Sequence, residues 1–142
     1  MVAILDIHHA SLMVADTARS LAFYCGTLGL MTDDARPDLG YPGAWLWVGT
    51  RQIHLIELPN PDPISGRPVH VGRDRHTALY VADLDSLRAL LDREGILYTL
   101  SRSGRRALFC RDPDGNGLEF IELRRDSPLT AKDAAAAKYS GQ

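Results

Sequence analysis

From His9 to Val14 apolar and polar side chains alternate, with Leu12 and Val14 set against Ser11 and Met13. A period of two residues predicts a strand. Asp16 stands next, where a helix N-cap belongs. In TARSLAFYCGTLG (17–29), Leu21, Tyr24 and Leu28 recur at helical spacing, and Gly29 is placed to stop the helix. The same order returns from His76. Leu79 and Val81 alternate with Ala78 and Tyr80, and Asp83 or Asp85 caps LDSLRALLDREG (84–95). Leu84, Leu87, Leu90 and Leu91 form its apolar stripe, and Gly95 ends it. HASLMVAD (9–16) and HTALYVAD (76–83) therefore open two copies of one structural unit.

The stretches after the two helices are also alike. A short extended piece is expected around residues 31–33 in the first copy and 97–101 in the second. GAWLWVGTRQIHLIEL (43–58) then reads as two strands around a Gly-Thr turn. RRALFCRDPDGNGLEFIEL (105–123) reads as two strands around Asp-Pro-Asp-Gly-Asn-Gly, a strong turn signal. Each half is β-α-β-β-β, and the strand endings HLIEL and EFIEL correspond. The expected organisation is a first module over 1–60, a Pro-, Gly- and charge-rich linker over 61–75, and a second module over 76–124. A C-terminal tail, 125–142, completes the chain; its alanines favour helix but offer no apolar stripe for docking. The fold class is α+β.

Composition narrows the function. With 142 residues, 45% of them hydrophobic, the chain can bury one compact core. A net charge of −2 argues against general nucleic-acid binding, which shows as a basic excess. No apolar run approaches the roughly 20 residues that span a bilayer, and the first residues lack a signal peptide's basic and long apolar regions. A cytoplasmic location without membrane contact is expected. Two cysteines, Cys25 and Cys110, make no disulfide framework and are read as reduced thiols.

Strand parity brings in the chemistry. If Leu12 and Val14 pack under the helix, His9, Ser11 and Met13 face the other way, as do His76, Ala78 and Tyr80 in the second copy. His8 is then expected on the helix side or frayed at the strand start. His54 and Glu119 occupy equivalent positions in IHLIEL and LEFIEL. His9, His54, His76 and Glu119 therefore form a candidate constellation. Three imidazoles and a carboxylate suit a divalent transition metal: zinc, nickel, manganese or iron. Parity also turns Trp45 and Trp47, and Arg105, Ala107 and Phe109, toward the same cavity. Trp45, Trp47 and Phe109 would line an aromatic pocket for a small molecule, and Arg105 would clamp a carboxylate or phosphate.

The motifs HASLMVADTARSLAFYCGTLGL, HTALYVADLDSLRALLDREGI and FCRDPDGNGLEFIEL together resemble the vicinal oxygen chelate superfamily, over residues 5–123. This superfamily includes glyoxalase I, fosfomycin-resistance thiol transferases, methylmalonyl-CoA epimerases and extradiol dioxygenases. The resemblance implies paired βαβββ modules forming a cupped mixed sheet around a metal, commonly in a homodimer, with the site within a chain or across the interface. His9, His76 and Glu119 fall on ligand positions, and His54 on a fourth where glyoxalase I typically carries Glu or Gln. The implied activity is that of a metal-dependent lyase or isomerase, acting on a small vicinal-oxygen substrate through an enolate-type intermediate, with Glu119 as the base. The glutathione adduct of methylglyoxal is one such substrate. Alternatives within the resemblance are a ferrous-iron dioxygenase, a thiol transferase acting on an antibiotic, and a non-enzymatic drug-binding protein of the bleomycin-resistance type.

Overall fold

A computed structural model describes residues 1–124; the tail expected over 125–142 lies outside the described residues. The first unit runs β1 (His9–Val14), α1 (Thr17–Leu21) continued by a π-helical segment (Ala22–Thr27), β2 (Met31–Thr32), β3 (Gly43–Val48) and β4 (Arg51–Glu57). A 3₁₀ turn (Val71–Arg73) lies in the intervening segment. The second unit runs β5 (His76–Val81), α2 (Leu84–Arg93), β6 (Tyr98–Leu100), β7 (Ala107–Arg111) and β8 (Gly117–Glu122). Each forms its own four-stranded mixed sheet, ordered β1-β4-β3-β2 and β5-β8-β7-β6. In each, the first strand runs parallel to the last, and the other pairs are antiparallel.

The repeat is written into the helix caps. Asp16 accepts from Arg19 N at 2.8 Å, and Asp83 from Asp85 N and Ser86 N at 2.9 and 3.1 Å. The glutamates of the two IEL endings reinforce them. Glu57 accepts from Thr17 N and its hydroxyl, at 2.8 and 2.7 Å, and Glu122 from Leu84 N at 3.0 Å. Each module thus ends its last strand on the N-terminus of its own helix, where free N–H groups and the helix dipole favour a carboxylate. Such caps contribute about 1 kcal/mol each. Gly29 and Gly95 end the helical segments with φ of 76° and 66°, a region costly for other residues.

The first helix is not regular throughout. Leu28 N bonds to Phe23 O, five residues back, at 3.0 Å. The wider turn lets consecutive residues Phe23 and Tyr24 both reach the interior. They join one core with Val14, Leu46, Ile53, Leu55, Leu84, Leu91, Leu108, Cys110, Leu118 and Phe120. This core spans both modules. Polar bonds tie the same junction: Tyr24 OH donates to Asp112 at 2.8 Å, Asn116 Nδ2 to Met13 O at 2.9 Å, and Arg19 pairs with Asp114 at 2.6 Å. The Asp112–Gly117 turn, readable from sequence only as a turn, is therefore also the polar latch between the modules. Asp112 is buried, and desolvation raises its pKa despite bonds from Asn116 and Tyr24 that oppose the shift.

Candidate metal centre

Strand register sets the sheet faces opposite the helices. In the first sheet Ser11, His54 and Trp45 lie abreast, and beside them His9, Gln52 and Trp47. In the second, Ala78, Glu119 and Phe109 lie abreast, and beside them His76, Gly117 and Arg111. Directly opposed residues share a face. His9 therefore corresponds to His76, His54 to Glu119, and Trp45 to Phe109.

In the first module the His54 ring is held between two others. It stacks on His9 with centroids 3.9 Å apart and planes 14° from parallel, and on Trp45 at 4.5 Å and 10°. Its Nε2 bonds to Gln52 Oε1 at 2.9 Å, and Gln52 Nε2 donates to Asp33 at 2.7 Å. With the Gln52 amide so oriented, His54 Nε2 carries the proton and Nδ1 the lone pair. Burial lowers the His54 pKa, and the neighbouring His9, His8 and Arg36 lower it further. His8 is not on the helix side. It precedes the strand, so strand alternation does not govern it, and its Nδ1 lies 2.8 Å from His9 Nδ1.

In the second module, His76 Nδ1 lies 2.8 Å from the carbonyl oxygen of Asp74, and Nε2 lies 3.1 Å from Glu119 Oε2. A carbonyl can only accept, so Nδ1 carries a proton. The carboxylate likewise only accepts: a protonated ring donates to both partners, and a bound cation in place of the Nε2 proton would join Nε2 to Glu119. Glu119 is 4% exposed, and its other oxygen lies 3.5 Å from Arg105 Nη2. Phe109 is buried on this face, with the rings of His76 and His70 set edge-on against it at 5.4 and 5.0 Å. His70 also bonds to the Thr99 hydroxyl at 2.7 Å. Trp47 is the most open of the lining aromatics, 42% exposed.

The donor set has the chemistry of a divalent metal site. His76 Nε2 and Glu119 Oε2 stand close to the ~3.3 Å spacing of two ligands about 2.0–2.1 Å from a tetrahedral zinc. The first pair is arranged differently. An imidazole lone pair lies in its ring plane, and two nearly parallel rings 3.9 Å apart share no in-plane point. One of His9 and His54 can point at a metal as they stand; using both requires a ring rotation. Among the described residues, no group of three or more His, Cys, Asp or Glu side chains gathers around one metal position. The four candidates are held as two pairs, one per sheet.

Gln52, Asp33, His70 and Asp74 surround these pairs, and the sequence pattern did not single them out. Gln52 had a legible signal, since it precedes His54 by two residues and shares its face. His70 and Asp74 lie in the segment between modules, where no periodicity marks them. A cleft of ≈ 240 Å³ between β1, that segment and the start of β5 takes in Ser11, Arg75, His76 and Asn116. The cysteines offer no thiolate nucleophile. Burial raises the Cys25 pKa, and burial with the charge of Asp112 pushes Cys110 up to about 12. No helix among the described residues is long and apolar enough to cross a membrane.

The chain matches the Glyoxalase/Bleomycin resistance protein/Dioxygenase superfamily over residues 6–120. It is 30% identical over 135 residues to the uncharacterized protein YaeR of Escherichia coli (strain K12), covering 86% of this chain and 99% of that one. It is 26% identical over 120 residues to Glyoxylase I 4 of Arabidopsis thaliana, covering 81% and 69%. Among solved structures, TnmS3, an antibiotic binding protein from Streptomyces sp. CB03234, superimposes with a TM-score of 0.66 at 21% identity, covering 87% and 100%. At that identity the likeness shows the fold alone. Superfamily members are generally metal-dependent, bind small molecules and often form dimers. The family match, the paired βαβββ modules and the repeated strand faces agree: this chain belongs to the glyoxalase/bleomycin resistance protein/dioxygenase superfamily.

Proposed function

We propose that this protein is a metal-dependent lyase or isomerase of the glyoxalase I kind, acting on a small substrate with adjacent oxygens. The observation that carries the reading is the His76–Glu119 pair. Its two donor atoms are 3.1 Å apart, with the imidazole fixed from behind by the Asp74 carbonyl. His76 and Glu119 would hold the metal together with an imidazole of the His9–His54 stack. The metal would be zinc, nickel, manganese or iron, and it would supply Lewis-acid polarisation of a substrate carbonyl. Glu119 would move the proton between adjacent carbons, from its place beside His76 on the sheet face opposite the helix. Trp45, Trp47 and Phe109 would pack the substrate's apolar part, and Arg105 would receive an anionic group.

Because the donors stand as two pairs on separate sheets, we take the complete set to be assembled in a homodimer. His9 and His54 of one copy would face His76 and Glu119 of a second copy. The reading is tested by metal analysis of the purified full chain, with the hemithioacetal of methylglyoxal and glutathione as substrate. One equivalent of a divalent transition metal per site, lost in His76→Ala, is expected. Metal-free protein that takes up no zinc, nickel, manganese or iron overturns it.

One observation favours a second reading. The parallel rings of His9 and His54 leave a single imidazole to join His76 and Glu119. Two histidines and a carboxylate form the ligand set of ferrous-iron oxygenases. Oxygen uptake with a catechol by iron-loaded protein, together with no isomerase activity in any metal form, would establish this reading over the first.

A further inference from the structure

The segment before β5 is held by a clamp that ends on the candidate centre. Arg67 Nη1 donates to both Asp74 carboxylate oxygens, at 2.9 and 3.1 Å. Arg111, from β7, donates to Asp74 Oδ2 at 3.0 Å, to Gly115 O at 2.8 Å and to Pro68 O at 2.8 Å. One guanidinium thus joins the segment between modules, strand β7 and the β7–β8 turn. The Asp74 side chain is 11% exposed, and those of Arg67 and Arg111 are 18% and 24% exposed. Shielding of this kind makes these ion pairs stronger than surface pairs.

The fit beneath is close. Gly117, opposite His76 in the sheet, has no side chain, and Val71 occupies the space. A Cβ at Gly117 would stand 2.7 Å from both Val71 Cγ1 and Arg75 O. The first module lacks this device. There the position opposite His9 is Gln52, which reaches His54 instead. The second module therefore fixes its histidine from the backbone side, through the residue that the arginines grip.

We propose that Asp74 is a positioning residue for His76: the Arg67–Asp74–Arg111 clamp fixes the Asp74 carbonyl, which holds the His76 Nδ1 proton and aims Nε2 at Glu119. Its functional consequence rests on the metal reading above. The geometric claim does not. The partner of a ligating histidine's second nitrogen sets its tautomer and orientation, and losing that partner typically lowers metal affinity roughly 10–100-fold. Here the partner is a backbone carbonyl, so side-chain control of it has to pass through the carboxylate of the same residue.

The test uses the full chain with Arg111→Met, Asp74→Ala and the conservative Arg111→Lys. Long-range ¹H–¹⁵N spectra of metal-free protein at alkaline pH read the His76 tautomer, and titration with zinc reads affinity. The expected result is an Nδ1-protonated ring in the parent, a mixture of tautomers in Arg111→Met and Asp74→Ala, and partial recovery in Arg111→Lys. Zinc affinity should track the tautomer, falling roughly 10–100-fold in the first two variants. Should Asp74→Ala not fold, the two Arg111 variants decide the matter by the same spectra. A parent that binds no zinc, while its variants still lose the tautomer, removes the metal reading and keeps the clamp. An unchanged tautomer in folded Arg111→Met overturns the clamp, whatever happens to zinc.

Discussion

His76 Nε2 faces Glu119 Oε2 at 3.1 Å while His76 Nδ1 donates to the carbonyl of Asp74. Neither partner leaves the ring free to turn. Nε2 points at a carboxylate that is almost wholly buried. This is a site that gains from a cation, and its environment supplies Arg105 from one side only.

Metal binding should therefore depend most steeply on the second module. Replacing His76 by Ala is expected to lower metal occupancy strongly while the far-ultraviolet circular dichroism stays native. His9→Ala and His54→Ala should each cost less than the two together, because the stacked rings offer one donor as they stand. Elemental analysis after dialysis against a fixed zinc concentration reads the order. Equal occupancy in His76→Ala and the parent would sink the assignment.

Glu119→Gln keeps an oxygen donor near the metal and removes the base. Turnover per bound metal should fall by about 10²–10⁴, the scale of general-base catalysis, with occupancy only partly reduced. Turnover equal to the parent's would remove Glu119 from proton transfer, whatever its place among the ligands.

A site shared between two copies makes a mixing prediction. The His9→Ala/His54→Ala double variant and Glu119→Gln are each expected to be nearly inactive. Unfolded and refolded together, they should form mixed dimers in which both defects fall in one site and the other site is intact. Recovery of about a quarter of the parent's activity is expected from random pairing in a twofold dimer. No recovery, in a preparation that light scattering shows to be dimeric, would place the whole site within one chain.

The latch between modules carries a pH dependence. Desolvation raises the folded-state pKa of Asp112, so the folded state holds the proton to higher pH than the unfolded chain does. The contribution of this group to stability is then full below the ordinary aspartate value of about 3.9 and declines as pH rises through the raised value. Asp112→Asn should remove that decline. Urea midpoints of the two proteins, compared between pH about 4 and 7, should converge or cross toward neutral pH; a constant difference would contradict the shift. Tyr24→Phe, which leaves the buried carboxylate one donor short, should destabilise by about 1–3 kcal/mol.

Much of the architecture was legible in the residue pattern because it is set by local rules. The two-residue period of HASLMV and HTALYV, the caps Asp16 and Asp83, and the stops Gly29 and Gly95 act within a few residues of their own positions. Parity alone put His9, His54, His76 and Glu119 on the faces opposite the helices, since a strand has only two sides. Tertiary structure decided what those side chains meet. The stacking of His54 between His9 and Trp45, the Gln52–Asp33 relay and the pairing of His76 with Glu119 join residues distant in sequence, and no period encodes their distances. The π-helical turn answers to the same cause: Tyr24 reads as a packing residue until Asp112, 88 positions away, is seen to accept a hydrogen bond from its hydroxyl. Asp74 is the extreme case. Nothing periodic marks its segment, and its importance comes from two arginines and one histidine that converge on it only when the chain is folded.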